Sequence, residues 1–375
     1  MPDSSVPTLR IGINALYLIP GGVGGTEIYL RGLLGALAEI DPIHQYFVFT
    51  NRETGPDLMP AAANFRQVPQ HVRAVRRPSR LLWEQTVLPI EAVRLKLDVM
   101  LNPGFTAPLI CPCPQVTVFH DLQHKRHPEY FRWFDLPFWR FFLYWSAHVS
   151  RRILSDSSVT AADLLYFYRL PEAVVKVVPL GVDKAFFDLA ARRKPELFLL
   201  AASTLHPHKN LDGLLRAFAV FRRNHPDFRL VVCGIHGFFT GPLRDLRDTL
   251  DLGSSVEFPG WIPREALHDL YRRAWAFVFP TFFEGFGIPV LEALAAGVPT
   301  ACSAIEPVAD IAGKAALLFD PHDPAAIARA LEQIAGDEPL RARLAEEGPR
   351  RASQFSWQQT ASATLAALIS ATRSV

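Results

Sequence analysis

The chain has 375 residues, about two and a half times the length of a typical ~150-residue domain, so its length favours two domains. With 49% hydrophobic and 20% charged residues it can build large cores, which excludes disorder over most of the chain. The formal net charge of only +2 gives no reason to expect a nucleic-acid partner. Four cysteines, among them Cys111 and Cys113, form neither a CxxC pair nor a disulfide framework, which fits a reducing compartment.

Targeting signals are not evident in the sequence. The first ten residues contain no apolar core of a signal peptide. The longest stretch without a charged residue, 99–119, is interrupted by four prolines, which a spanning helix would not tolerate. We therefore expect a cytoplasmic protein, and contact with the inner face of the membrane stays open.

The first part of the chain alternates between strand-like and helical patterns. An apolar run, Leu9–Leu16, is followed by the glycine turn Gly21–Gly25 and by a helical pattern from near Thr26. Helical segments then separate further strand-like runs at Tyr46–Thr50, Asp98–Leu101 and Gln115–Phe119. This alternation predicts a parallel α/β sheet.

The pattern starts again near the middle of the chain. The run Val174–Asp183 ends in a Pro/Gly turn, and the charged stretch Lys184–Glu196 predicts a linker. A new buried strand, Leu197–Ser203, precedes a helix at Leu211–Phe221. Further strands are predicted at Arg229–Cys233, Val256–Phe258 and Ala276–Pro280.

We therefore predict an α/β protein with two Rossmann-like domains, one over 1–185 and the other over 186–356. The segment 357–375 is predicted to form a final helix around Trp357–Ala371. This helix packs back onto one of the two domains, and one alternative is that it crosses to the N-terminal domain.

One segment of the second half places two carboxylates near a predicted ligand site. A buried strand ends at Pro280, Glu284 lies in the following loop, and Pro289 suits the first turn of a helix that ends before Gly297. Glu292 then lies early in that helix, close to the carboxyl edge of the sheet, where open parallel sheets bind ligands.

The start of the same helix predicts an anion site. Its backbone N–H groups would come from Gly285, Phe286, Gly287 and Ile288. Carboxylates beside such a site suit a ligand with both vicinal hydroxyls and phosphates, such as a nucleotide-sugar. The alternative is that both glutamates are solvated acids favoured by the helix dipole.

The two glutamates, with seven residues between them, resemble the EX7E motif of retaining GT-B glycosyltransferases of family 4. Four further segments resemble family segments in the same order: Gly21–Gly25, Val118–Asp121, Val177–Asp183 and Leu205–Asn210. The resemblance implies a GT-B fold, in which an acceptor-side domain and a donor domain face each other across a cleft and the C-terminal helix packs back. Asp310 stands where the family usually has glutamate.

The resemblance also implies roles in the donor site. Lys209 would neutralise the donor diphosphate as the sugar–phosphate bond breaks. Thr204 and His208 stand where the family often has an arginine, and a protonated His208 would supply that second cationic contact. Glu292 would accept hydrogen bonds from the ribose hydroxyls, and Glu284 from hydroxyls of the transferred sugar.

The resemblance assigns donor contacts to the first half of the chain as well. His120 would contact the donor sugar and help with charge in the transition state, which places it with Glu284 and Lys209 as catalytic residues. Gly24 and Gly25 would let the backbone approach the donor closely. A tight turn explains the same glycines.

The family works without a metal, and the chain contains no Asp-x-Asp pair that would hold one. No metal and no cofactor is therefore expected, because the nucleotide-diphosphate sugar is a substrate. The resemblance implies retention of anomeric configuration, and front-face attack and double displacement both stay open. The Lys-Asn loop resembles that of bacterial mannosyltransferases, which makes GDP-mannose the first choice of donor and a saccharide or lipid-linked saccharide the acceptor.

Two features are candidates for the acceptor side. Between residues 130 and 145, ten of sixteen residues are aromatic, which suits peripheral membrane contact or a lipid-linked acceptor. Packing of a large helix explains these aromatics equally well. A local basic patch can attract anionic lipid or an acceptor phosphate, and a solvated loop is its alternative; it comprises Arg73, Arg76, Arg77 and Arg80.

Two other function classes are alternatives to a glycosyltransferase. A Rossmann oxidoreductase would need a GxGxxG fingerprint, which Gly21–Gly25 does not supply. A catalytically silent sugar-nucleotide-binding subunit or sensor would be favoured by loss of Glu284, His120 or Lys209, and all three are present.

Overall fold

The computed structural model describes residues 7–235 and 239–373. The absence of a signal-peptide pattern was predicted for the first ten residues, of which residues 1–6 lie outside the described residues. The chain divides into two compact units. Unit 1 comprises the residues up to Gly181 together with those from Trp357 onward, and unit 2 comprises Val182–Ser356. The first division therefore falls slightly before residue 185, where the sequence placed it.

Unit 1 is built on a parallel sheet of seven strands. The elements of its first segment, in chain order, are β1 (Arg10–Asn14), α1 (Gly25–Ile40), β2 (Gln45–Thr50), β3 (Phe65–Pro69), α2 (Arg77–Arg94), β4 (Val99–Asn102), β5 (Gln115–Phe119), α3 (Gln123–Arg126), α4 (Leu136–Val149), β6 (Arg152–Ser155), α5 (Ser158–Tyr168) and β7 (Val175–Val177). The strand order is β3-β2-β1-β4-β5-β6-β7. Strands β4 and β5 are buried along their whole length, as expected for central strands covered on both faces.

Unit 2 repeats this architecture with six parallel strands. Its elements are α6 (Lys184–Ala190), β8 (Phe198–Ala202), α7 (Leu211–Phe221), β9 (Arg229–Cys233), α8 (Thr240–Thr249), β10 (Val256–Gly260), α9 (Arg264–Arg273), β11 (Ala276–Phe279), α10 (Ile288–Ala295), β12 (Thr300–Ser303), α11 (Val308–Ala312), β13 (Leu317–Phe319), α12 (Pro324–Gly336) and α13 (Glu338–Ala352). The strand order is β10-β9-β8-β11-β12-β13. Two Rossmann-like parallel sheets are thus confirmed.

The predicted linker Lys184–Glu196 is wrong in its first half, because α6 occupies it. Asp183 caps this helix by accepting a hydrogen bond from the Ala185 N–H at 3.0 Å. Phe186 is fully buried and lies edge-on against the Tyr271 ring, with centroids 5.3 Å apart. The charged composition of the segment concealed this one apolar anchor.

The last helix, α14 (Trp357–Thr372), belongs to unit 1, so the chain returns to its first unit at its end. It packs against α1 and against strands β4, β5 and β6. The Thr360 hydroxyl donates to the Pro179 carbonyl at 2.7 Å. Within the described ranges, no helix is both long and apolar enough to cross a membrane.

In both sheets the strand order reverses at one point, between β1 and β4 in unit 1 and between β8 and β11 in unit 2. Connections on the two sides of such a point leave in opposite directions and open a crevice beyond the carboxyl ends of the strands. This topology selects the loops after β1, β4, β8 and β11 as the places to search for a ligand site.

We predict that Gly32→Ala destabilises the protein by about 1–3 kcal/mol, because the new Cβ would lie 2.3 Å from the Trp357 ring of α14. The matched control is Gly35→Ala on the same helix, where a Cβ meets nothing within 4 Å. This control should stabilise the protein by roughly 0.5–1 kcal/mol, as alanine does in a helix interior. Urea unfolding measures both, and equal stabilisation by the two changes would contradict the packing described for α14.

Candidate active site

The crevice of unit 2 is organised by Asn210. Its backbone is left-handed, with φ of 52°, and its side chain is buried. The Asn210 amide nitrogen donates to the carbonyl of Pro280 at 3.0 Å and to that of Pro321 at 2.8 Å. One side chain therefore joins the loops that follow β8, β11 and β13.

The loops after β8 and β11 are joined a second time through His208. Its carbonyl accepts from the Phe282 N–H at 2.8 Å and from the Thr281 hydroxyl at 3.1 Å. These bonds fix the backbone on both sides of the crevice, so that the side chains of Lys209 and Glu284 are presented from rigid supports.

Lys209 and Glu284 form an ion pair. Lys209 Nζ lies 2.5 Å from Glu284 Oε1, and only 15% and 12% of the two side chains are exposed. The same Nζ lies 5.6 Å from the centroid of the Phe279 ring. Shielded charges of this kind hold each other in place, and removing one leaves the other uncompensated. A ligand that carries both an anion and a hydroxyl meets a partner for each group here.

The start of α10 borders the same loop. Gly287 precedes the helix with φ of 124°, a conformation that favours glycine, and a proline follows in the first turn. Gly285 is half-buried, whereas Phe286 and Ile288 are buried. The first N–H groups of a helix have no acceptor within it, which makes this helix start suitable for an anion.

Glu292, on the second turn of α10, is 4% exposed. The Tyr271 hydroxyl donates to its Oε2 at 3.3 Å. Burial raises the pKa of Glu292 to about 7, although the positive charge of Arg264 opposes the rise. Arg264 in turn is paired with Asp183 at 2.9 Å. Glu292 is therefore a buried carboxyl that changes its charge near neutral pH.

The loop after β8 also carries two neighbouring histidines. The Nδ1 atoms of His206 and His208 lie 2.6 Å apart, so one of them donates and the other accepts. Burial and the charge of Lys209 lower the pKa of His206, which favours the neutral ring that accepts. Thr204 is half-buried two residues after β8.

His120 lies at the carboxyl end of β5 in unit 1 and uses both ring nitrogens. Nδ1 is 2.6 Å from Asp156 Oδ2, and Nε2 is 2.9 Å from the Pro103 carbonyl oxygen. Both partners are acceptors, so two N–H groups satisfy them best. Burial lowers the pKa of His120, but Asp156 and the Pro103 carbonyl outweigh burial and raise it above 6.5. The geometry thus favours a charged imidazolium.

The glycine loop leads into α1 within the same unit. Gly24 has φ of 59°, and a Cβ there would meet nothing within 4 Å. Gly25 is the first residue of α1. On the next turn of that helix, the Tyr29 ring lies edge-on to His120 with centroids 4.9 Å apart. The backbone conformation accounts for glycine at Gly24, and the space beside it is open.

The predicted basic patch is divided by the structure. Arg73, Arg76 and Arg77 are exposed, but Arg80 is 4% exposed. Arg80 Nη1 lies 3.2 Å from Glu84 Oε1 on the next turn of α2. Arg80 thus differs from the other three arginines, because it is buried and its charge is compensated by Glu84.

Comparison with known proteins agrees with this architecture. A family model described as Glycosyltransferase Family 4 matches residues 23–186, and one described as Glycosyl transferases group 1 matches residues 183–351. The chain belongs to glycosyltransferase family 4.

Curated relatives of this family 4 glycosyltransferase include mannosyltransferases. The Escherichia coli O-antigen chain mannosyltransferase B is 29% identical over 67% of the chain and 68% of the relative. The MMP alpha-(1->4)-mannosyltransferase of Mycolicibacterium hassiacum is 30% identical over 67% and 63%. A D-inositol 3-phosphate glycosyltransferase of Corynebacterium jeikeium is 28% identical over 95% of both chains. The chain spans only about half the length of other D-inositol 3-phosphate glycosyltransferases that it matches, such as the one from Streptomyces avermitilis.

Solved structures extend the likeness of the fold to nearly the whole chain. Sucrose-phosphate synthase from Thermosynechococcus elongatus has a TM-score of 0.76 at 19% identity and covers 96% of this chain and 98% of its own. Anabaena HepE, solved with UDP and glucose, has a TM-score of 0.73 at 16% identity and covers 96% and 98%. These likenesses show the GT-B fold.

Sequence reasoning missed two residues of the transferase that contact predicted site residues. Asp156 holds His120, and Tyr271 holds Glu292. Asp156 directly follows β6, a strand that was not predicted, so its place at the carboxyl edge was not recognised. Tyr271 looks like an ordinary core aromatic of α9, and nothing in the sequence distinguishes it.

We predict that Asp156→Asn lowers the pKa of His120, because burial is then opposed only by the smaller contributions of the Pro103 carbonyl and Asp121. NMR titration of the ring protons measures this. The control is Asp163→Asn, which removes another buried carboxylate of unit 1, one bonded to Arg126 instead. An unchanged His120 titration in Asp156→Asn would show that Asp156 does not set the charge of the ring.

A second prediction concerns Glu292→Gln. The folded-state pKa of about 7 exceeds the ordinary 4.5, so ionisation of Glu292 between these pH values lowers the stability of the wild-type protein. The variant escapes this loss and should gain on the order of 3 kcal/mol relative to wild type between pH 4.5 and pH 8. Unfolding free energies at the two pH values test it, with the exposed Glu306→Gln as control. A difference independent of pH would contradict the buried-carboxyl description.

Proposed function

We propose that this family 4 glycosyltransferase moves a hexosyl group from a nucleoside diphosphate sugar to a saccharide or lipid-linked saccharide, with retention of configuration. Mannose is the first choice for the hexose. The observation that carries the proposal is the shielded pair of Lys209 and Glu284, which lies at the switch point of the unit 2 sheet next to the start of α10. GDP-mannose is the first choice of donor.

The pair suggests how the donor enters. The donor diphosphate binds to the Lys209 ammonium in place of Glu284 and also accepts hydrogen bonds from the N–H groups at the start of α10. Glu284 is then free to accept hydrogen bonds from hydroxyls of the hexose. Glu292, in its ionised form, accepts from the ribose hydroxyls. His208 supplies the second cationic contact when its ring is protonated.

Residues of unit 1 complete the proposed assignment. His120 contacts the donor sugar, and its charged ring stabilises negative charge that develops in the transition state. Gly24 and Gly25 allow the backbone to approach the donor. Arg73, Arg76, Arg77 and Arg80 are the candidates for the acceptor side; the first three are exposed and Arg80 is buried.

The proposed reaction uses no metal and no cofactor, because Lys209 and the α10 start provide the positive field that a metal would otherwise supply. In the front-face version, the bond from the anomeric carbon to the diphosphate breaks while the acceptor oxygen bonds to the same carbon. The acceptor proton passes to the leaving phosphate, so charge and atoms balance.

Two observations support the finer parts of the proposal. Two of the relatives are mannosyltransferases by name, which supports mannose as the hexose. All four cysteines are free thiols, which supports a reducing, cytoplasmic setting.

The first test is binding of the purified protein to GDP, UDP and ADP and to their common sugars, by calorimetry and thermal shift with EDTA present. We expect selective binding of one nucleotide, GDP first, that EDTA does not weaken. Binding that disappears with EDTA would overturn the metal-free site. Binding without turnover on a broad acceptor panel would favour a silent sensor over an enzyme.

The same assays test the ion pair. Lys209→Ala should weaken nucleotide diphosphate binding by at least tenfold, because the loss of a shielded cation removes the main partner of the diphosphate. Glu284→Ala should abolish transfer while the protein stays folded. Lys314→Ala, an exposed lysine of unit 2, is the control and should change neither. Undiminished activity of Glu284→Ala would refute the site assignment.

A further inference from the structure

Helix α4 of unit 1 carries its large side chains outward. The residues of α4 that are buried are the smaller Leu143, Ser146 and Ala147. The aromatic face, defined by six side chains that are 38% to 84% exposed, consists of Trp133, Phe134, Phe138, Phe141, Tyr144 and Trp145. A helix made only for a core would have the opposite arrangement.

The aromatic face is continuous along one side of the helix. Phe138, Phe141 and Trp145 follow each other at spacings of three and four residues, which places them in one row on α4. Phe134 lies in the turn directly before the helix. Ring contacts join members of the face, with centroids 6.3 Å apart for Phe141 and Trp145 and 5.6 Å apart for Tyr144 and Trp145. Monomeric proteins rarely expose a contiguous apolar patch of this kind without a partner.

Positive charge surrounds the aromatic face. The guanidinium of Arg77, which begins α2, lies 5.5 Å from the centroid of the Trp139 ring on α4. This contact connects the exposed arginines near α2 with the aromatic helix, although some sixty residues separate them in the sequence. Arg132 lies over the Phe134 ring at 5.9 Å, and Arg140 is exposed on α4 itself.

Carboxylates are fewer than cations in the same region, and one of them, Asp135, directly precedes α4 next to Phe134. Glu129 is hydrogen-bonded to His127 at 3.0 Å, and Asp163 is occupied by Arg126. Burial and the charge of Arg140 both lower the pKa of Lys125, so a further cation lies close to Arg140. The excess of cations around the apolar row selects an anionic partner with an apolar interior.

We propose that the aromatic face and its arginines dock unit 1 onto an anionic phospholipid bilayer, with α4 lying in the plane of the interface. Tryptophan, tyrosine and arginine combine an apolar body with a polar end, which suits the boundary between headgroups and acyl chains. At 14 residues, α4 is shorter than the about 20 residues needed to span the hydrocarbon. The arginines contribute attraction to anionic headgroups.

The test uses the full-length protein and vesicles of phosphatidylcholine with or without about one third phosphatidylglycerol, in the absence of donor and acceptor. Co-sedimentation should show binding to the anionic vesicles that is at least tenfold tighter than to neutral ones and that weakens with salt. The double variant Arg132→Glu/Arg140→Glu should lose most of this binding. Arg329→Glu, an exposed arginine of unit 2, should retain it.

Insertion of the aromatic face is tested with vesicles that contain brominated lipid, which quenches tryptophan within the acyl region. Trp133→Phe should lose part of the quenching seen for wild type, because Trp133 is the most exposed tryptophan of the face at 84%. Trp261→Phe removes a tryptophan of unit 2 that is 59% exposed and should keep the quenching. Circular dichroism confirms that both variants are folded.

Three outcomes would overturn the proposal. The first is no binding to anionic vesicles, and the second is equal quenching in Trp133→Phe and wild type. The third is a dimer in sedimentation velocity that Trp133→Ala dissociates, because it would assign the face to a second copy of the chain. Binding only when vesicles contain a lipid-linked saccharide would assign the face to the acceptor instead. Because no donor is present, failure here leaves the proposed transfer reaction untouched, and failure of nucleotide binding leaves the docking result untouched.

Discussion

The two hydrogen bonds of the Asn210 amide are the interaction on which the crevice of unit 2 depends. Three loops after β8, β11 and β13 meet at its two hydrogen bonds, and Lys209 is its immediate neighbour in the chain. A left-handed backbone at Asn210 ends the short turn after β8 and starts α7 at the same residue. Asparagine tolerates that conformation better than most residues and carries the donor that the two carbonyls need. The position of the lysine ammonium thus follows from the geometry of its neighbour.

Charge compensation is the common theme of the groups at both crevices. Lys209 is held by Glu284, His120 by Asp156, and Arg264 by Asp183. The first two pairs are largely shielded from water, so each costs desolvation and keeps a charged group oriented. The side chains of Arg264 and Asp183 are 39% and 44% exposed, so their pair lies in contact with water. Glu292 differs, because burial raises its pKa to about 7, and the charge of Arg264 and the hydrogen bond from Tyr271 offset only part of that rise. These arrangements provide preorganised charge that a diphosphate and hydroxyl groups can exploit.

Much of the fold was predictable, because hydrophobic periodicity and the glycine and proline residues at the ends of elements can be recognised within single segments. Strands β5 and β9 and helix α7 were predicted with the bounds that the structure shows. The two glutamates of the EX7E motif were predicted at the carboxyl edge of the second sheet, where the structure places the loop after β11 and the start of α10. Strands β3, β6, β12 and β13 were missed. Strand β3 is partly exposed and lacks a continuous apolar run, and the other three are only three or four residues long. Partners such as Asp156 and Tyr271 were missed for another reason. They come from elements distant in sequence, and only the assembled sheet shows which side chain faces which.

The surface of unit 1 shows the same limit. The aromatic run was evident in the sequence, but core packing explained it equally well until the exposed fractions were known. In the sequence Arg80 belongs to a cluster of arginines. Only the structure shows that it lies on the inner side of α2 and forms an ion pair with Glu84. Sequence pattern gives the residues available to a site, whereas burial decides which of them a ligand can reach.

The return of α14 to unit 1 means that unit 1 is built from two separate parts of the sequence. Unit 2 is a continuous segment, Val182–Ser356, between these two parts. The helix that packs against α1 and β4–β6 is therefore made only after every residue of unit 2 has been added to the chain. Unit 1 cannot complete this packing before α14 is made, whereas unit 2 needs no residue after Ser356. Proteolysis near Trp357 would remove α14 and expose the side of α1 that it covers, while the sequence of unit 2 stays intact.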